Sequence, residues 1–206
     1  MGFDETIIHC ASPALCGIKP ASLFSMNEET FSAGKEKIHE WQPYFSKQRK
    51  YFVSLKKNDG RILFFVYDAF LLKKLLSDAR NAAYLEAKGY PVQRGFQALL
   101  AELLHRLAGC GDFPHEVGLF LGYPLEDVIG FETQQATGSA YSGFWKVYGD
   151  VESARRTMNL YKSCSALCMK WLNSGLTVPL TAEKYQHTAY SAVGGPERCR
   201  IFGGRK

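Results

Sequence analysis

The sequence predicts a single α+β domain in which a small, mostly antiparallel sheet is packed by four or five helices. Two aromatic and β-branched runs, 51–55 and 61–67, flank Asn58-Asp59-Gly60 and read as a hairpin. Leucine and alanine recur at helical spacing between residues 69 and 108, and again over 151–173. With 206 residues, 46% hydrophobic and 22% charged, the chain is long enough for one well-buried core.

Taken in order, residues 7–24 read as an irregular lead-in, because Pro13, Gly17 and Pro20 space the apolar residues unevenly. Ser25-Met26-Asn27-Glu28 has the form of a capping box and opens a helix to about Glu40 or Trp41, where Pro43 interferes. The run Arg61-Ile62-Leu63-Phe64-Phe65-Val66-Tyr67 is apolar on both faces, so it is expected at the centre of its sheet with helices on either side. Residues 69–88 form helix, broken near Ser77–Asn81 and stopped at Gly89. Residues 92–108 form the next helix and Gly109-Cys110-Gly111 ends it. Ser142–Tyr148 reads as a third strand, and 151–173 as a long amphipathic helix stopped by Gly175. One domain over 1–176 and a flexible basic tail over 177–206 are the expected organisation.

The net charge of +5, from 25 basic and 20 acidic residues, is too thinly spread for an unaided nucleic-acid binder. No apolar stretch is long enough to span a bilayer, and the N-terminus lacks the order of a signal peptide, so a cytoplasmic protein is expected. Six cysteines (10, 16, 110, 164, 168 and 199) then read as free thiols. Cys164 and Cys168 share one helix face, which buried cysteine acting as a small hydrophobe explains. No CxxC pair, HExxH, EF-hand loop, Walker loop or GxGxxG is present, so no metal ligand set is assigned and no cofactor is identified.

The densest segment is 112–131. Asp112 can cap a helix that includes Pro114, with His115 and Glu116 in its first turn, where the helix dipole disfavours a protonated imidazole. The same residues fit a helix-turn-helix over 114–131, with Gly122 in the turn and Gly118 at the small position. Glu126 and Asp127 would then face phosphate, which makes it a poor DNA reader and leaves a packing unit. Cys10 is the best nucleophile candidate, with Lys19 as an anion contact and His115 as a base if the fold brings them together. A buried cysteine is the plainer alternative.

The motifs His9-Cys10-Ala11-Ser12-Pro13, 17–24, Phe113 to Phe131, 143–148 and Tyr161-Lys162-Ser163-Cys164 together resemble a bacterial family named domain of unknown function 3793. The resemblance covers about 7–172. It implies a bacterial cytoplasmic protein, typical of anaerobic Firmicutes, and carries no activity over. Its motifs suggest a convergence to look for: Cys10, Lys19, His115, Glu116, Tyr123, Trp145, Lys146 and Cys164 in one pocket suited to a small anionic or aromatic ligand. Three function classes follow. The first is a small-ligand or partner-binding domain, with or without a redox link, the second a cysteine-dependent enzyme using Cys10 and His115, and the third a helix-turn-helix nucleic-acid binder.

Overall fold

A computed structural model describes residues 1–56, 59–109 and 113–192, with backbone alone for 56, 135, 136 and 189–192. It is a single α+β domain, as the patterning predicts. The central sheet has three antiparallel strands in the order β1 (Ala21–Asn27), β3 (Arg61–Asp68), β2 (Lys50–Lys56). The predicted hairpin is present, with Tyr51 opposite Tyr67 and Leu55 opposite Leu63, and Gly60 at φ +74° supplies the positive turn dihedral. Asn58, Cys110 and Asp112 lie outside the described residues.

The strand β3 divides the core by its alternation. Ile62, Phe64 and Val66 face a cluster with α1 (Phe3–Leu15), α2 (Glu28–Lys47), α8 (Val151–Asn173) and α9 (Val178–Ala192). Phe65 faces the other way, into a cluster with α3 (Ala69–Leu76), α4 (Ala79–Ala87), α5 (Phe96–Ala108), α6 (Val117–Phe120) and α7 (Leu125–Gln134). The sheet is therefore the middle of three layers, which is why its central strand carries no polar face.

Several elements differ from the sequence expectation. The lead-in is a helix and a strand. Phe3, Ile7, Ile8, Ala11 and Leu15 follow helical spacing and are buried, the Gly2 N–H donates to Glu5 Oε2 at 2.8 Å, and Pro13 falls in the last turn. Gly17 at φ +74° ends α1 while Ile18 and Lys19 N–H donate to the Pro13 carbonyl. β1 carries no strand signal in its sequence because both of its faces are covered, so it lacks the polar-apolar alternation of a half-buried strand.

The helix α2 is capped by Asn27, which accepts from Thr30 N–H at 2.8 Å, and it continues through Pro43 to Lys47 because Trp41 and Phe45 anchor it on both sides of the proline. Close approach of α1 and α2 is set by Gly34, where a Cβ would overlap the Phe3 ring. The run 92–108 is split, since Gly95 at φ +83° separates a turn at Val92–Arg94 from α5. Residues 142–148 are not a third strand of the main sheet. They belong to a separate ribbon, β4 (Tyr141–Ser142) with β5 (Lys146–Val147), beside the start of α8.

The chain beyond residue 177 is not all tail. Val178, Ala182 and Tyr185 of α9 are buried against α1 and α8, an apolar spacing too sparse among Thr, Gln and His to stand out. Residues 193–206 lie outside the described residues.

Candidate functional site

The helix-turn-helix segment folds as a compact packing unit. A Cβ at Gly118 would meet Tyr123 Cδ2 at 3.0 Å and Val128 Cγ2 at 3.2 Å, and Gly122, at φ +82°, lies against Pro20 at the start of β1. The helix before the turn is only four residues, Val117–Phe120, and His115 precedes it in a turn rather than occupying a helical first turn. Asp127 points inward, where it accepts from Trp145 Nε1 and from the Tyr148 and Gly149 N–H groups.

This unit, with the β4–β5 ribbon, forms one wall of a groove whose other wall is α1, β1 and α8. The groove has two lobes. One, of about 430 Å³, is lined by His115, Phe131, Trp145 and Lys146 among others; the second, of about 240 Å³, is lined by Cys10, Lys19, Ser22 and Tyr161. Leu23, Leu121, Tyr123 and Phe144 border both lobes and join them. Tyr123 stacks on Trp145 with ring centroids 4.7 Å apart.

Of the residues expected to converge, Cys10, Lys19, His115, Tyr123, Trp145 and Lys146 line this groove. Glu116 does not. It is buried on the other side of α6, paired with Arg106 at 2.9 Å and accepting from the Tyr90 hydroxyl at 3.1 Å, so its charge is committed to holding α5 against α6. Cys10 and His115 are in different lobes, and His115 packs edge-on against Phe131 instead.

The electrostatics concentrate in the smaller lobe. Lys19 Nζ lies 5.5 Å from the Tyr161 ring centroid and 5.8 Å from that of Tyr123, and among the described residues it has no carboxylate partner. Burial lowers its pKa to about 8, against a smaller opposing pull from Cys10. Burial also raises the Cys10 thiol, with Lys19 opposing, and pushes Tyr123 up to about 12. Ser22 Oγ and the Tyr161 hydroxyl are both buried and have no hydrogen-bond partner among the described residues. Sequence reasoning missed these two, since Ser22 sits in the unrecognised β1 and Tyr161 looked like core.

Cys164 points away from the groove. Together with Cys168 it meets Cys16, and the three sulfurs lie within 4.8 Å of one another, all buried. Cys16 and Cys168 are 3.7 Å apart, sulfur to sulfur. Bonds from Cys16 and then Cys164 pull the Cys168 thiol down, while the thiol of Cys16 is held well above its ordinary range by its bonds to Cys164 and Cys168 and by burial. Cys16 stands 152 residues from Cys168, a separation that hides the trio from any spacing rule.

No helix among the described residues is long and apolar enough to cross a membrane. No curated protein and no solved structure matches the chain. Residues 7–180, which contain most of α1, the whole sheet, the Gly118–Gly122 unit, the ribbon and α8, match the model described as protein of unknown function (DUF3793), and the chain belongs to that family.

Proposed function

We propose that this protein is a small-molecule-binding domain whose groove takes a planar aromatic anion. The observation that carries the reading is the composition of the smaller lobe: among the described residues, the Lys19 ammonium has no carboxylate and two buried hydroxyls, Ser22 and Tyr161, have no partners. Buried polar groups are satisfied in the great majority of folded proteins, so such a set favours an incoming acceptor. A carboxylate or phosphate accepts from all three. The aromatic body then lies along Leu23, Leu121, Tyr123 and Phe144 toward Trp145, with Lys146 at the far end. Free thiols at Cys10, Cys16, Cys164 and Cys168 support a reducing, cytoplasmic setting.

The test uses 1-anilinonaphthalene-8-sulfonate, an aromatic monoanion whose fluorescence rises in apolar surroundings. Saturable one-site binding to the cooperatively folded protein, weakened in Lys19→Met and in Tyr123→Ala, is the expected result. Binding that does not saturate, or that both variants leave unchanged, refutes the reading.

A further inference from the structure

We propose that Cys16, Cys164 and Cys168 bind one soft d10 metal cation, of the Cu(I) or Zn(II) class, through their sulfurs. This site is separate from the groove, and neither reading depends on the other. Any one of these cysteines is explained as a small buried hydrophobe. Their convergence is not, since packing alone has no need to bring three sulfurs from two distant segments to one point.

The geometry suits a metal. Metal–thiolate bonds of about 2.3 Å place the sulfurs of a trigonal or tetrahedral site about 3.8–4.0 Å apart. The pair Cys16–Cys168 stands at 3.7 Å, and the widest pair is within 4.8 Å, so closure onto an ion takes a side-chain adjustment and no refolding. Cys164 and Cys168 are one helical turn apart on α8 and form a rigid chelating pair. Cys16 completes the set from the end of α1.

The chemistry selects the class of ion. An all-sulfur donor set disfavours hard cations such as Mg²⁺ or Ca²⁺ and favours soft ones. The three cysteines are at most 2% exposed, among Leu15, Val178, Ala182 and Tyr185, with α9 closing the site from solvent. The thiol protons leave to solvent as the ion enters. Three thiolates around a divalent ion leave one net negative charge and around a monovalent ion two; the buried Lys50 ammonium near Cys16 is already paired with Asp68 Oδ2 at 3.7 Å, so the smaller residual charge is the easier to bury. The donor count suits three-coordinate Cu(I). The charge suits Zn(II), for which Tyr185, whose hydroxyl lies beside Cys164, is a fourth donor at hand.

The experiment uses full-length protein carrying Cys10→Ser, Cys110→Ser and Cys199→Ser, reduced and handled without oxygen, so that only the cluster thiols remain. It is equilibrated separately with Cu(I), supplied as its acetonitrile complex, and with Zn(II), then desalted. Metal content and X-ray absorption at the metal edge are read. One ion per chain with three sulfur neighbours is expected, lost on adding Cys16→Ala or Cys168→Ser, each variant being checked for cooperative thermal unfolding. Retention of Cu(I) alone assigns the three-coordinate site, and Zn(II) with three sulfurs and one oxygen assigns the four-coordinate one; both support the proposal. It is overturned if neither ion is retained, if both variants retain metal as the parent does, or if Cys16 and Cys168 prove to be disulfide-bonded in the reduced preparation.

Discussion

Asp127 accepts the indole N–H of Trp145 at 2.7 Å, and its other oxygen accepts the Tyr148 and Gly149 N–H groups at 2.7 and 2.9 Å. One carboxylate on α7 thus holds the β4–β5 ribbon in place and fixes the ring that stacks on Tyr123. Asp127→Ala orphans a buried indole donor and frees two backbone donors. Leaving a buried donor unsatisfied costs about 1–3 kcal/mol, so a total loss of about 3 kcal/mol is expected. For a domain of this size that lowers the Tm by about 6–12 °C. Urea unfolding of the variant checks it; a loss below about 1 kcal/mol would mean that the ribbon is held by apolar packing instead.

That pair also shows what the sequence could and could not disclose. The packing role of Gly118 and Gly122 was legible, because a glycine at a turn and a small residue four positions earlier have a local steric meaning. The direction of Asp127 was not. A carboxylate in the first turn of α7 reads as solvent-facing or phosphate-facing until the ribbon that donates to it, 18 residues further on, is in position. The hairpin and α8 were legible from period and turn residues; the Asp150 cap of α8, which accepts from Ser153 N–H, came only with the structure. β1 was not, since a strand covered on both faces loses the alternation that betrays strands. The groove was half legible: the unusual residue types were singled out, but the two orphaned hydroxyls and the exclusion of Glu116 depend on which way each side chain turns.

The separation of Cys10 from His115 predicts how the thiol reacts. Burial raises the Cys10 pKa, with Lys19 opposing it only in part, so little thiolate is present near neutrality. In a protein with the other five cysteines replaced by serine, alkylation by iodoacetamide at pH 7.5 is expected to be slower than that of glutathione. His115→Ala leaves the rate unchanged, because the imidazole lines the other lobe. A severalfold drop in that variant would restore the Cys10–His115 pair as an enzymatic candidate.

Tyr161 makes a prediction with opposite signs for stability and binding. Its hydroxyl is buried without a partner among the described residues, a penalty of about 1–3 kcal/mol that an acceptor from a ligand removes. Tyr161→Phe keeps the ring under Lys19 and deletes the unsatisfied group. The variant is expected to unfold at higher temperature than the parent and to bind 1-anilinonaphthalene-8-sulfonate more weakly. Stability and affinity falling together would show instead that the hydroxyl has a structural partner.

The pH dependence of anion binding follows from Lys19. Its folded-state pKa, about 8, is below the ordinary lysine value of 10.5 because burial disfavours the ammonium. Without ligand, the unfolded chain therefore holds a proton that the native state has given up between about pH 8 and 10.5, and stability contributed by this group rises with pH across that interval. Anion binding has the opposite sign, since the anion is attracted to the ammonium. Affinity is expected to be flat below about pH 7 and to fall about tenfold per unit above pH 8. Cys10, Tyr123 and Tyr161 do not blur that window, as the Cys10 thiol is raised, Tyr123 is pushed up to about 12 and burial raises Tyr161 further. Titrating 1-anilinonaphthalene-8-sulfonate at a series of pH values against wild type and Lys19→Met reads the effect. Lys19→Met should bind weakly at every pH with no slope; a wild-type profile equally flat through pH 9 would remove Lys19 from the binding site.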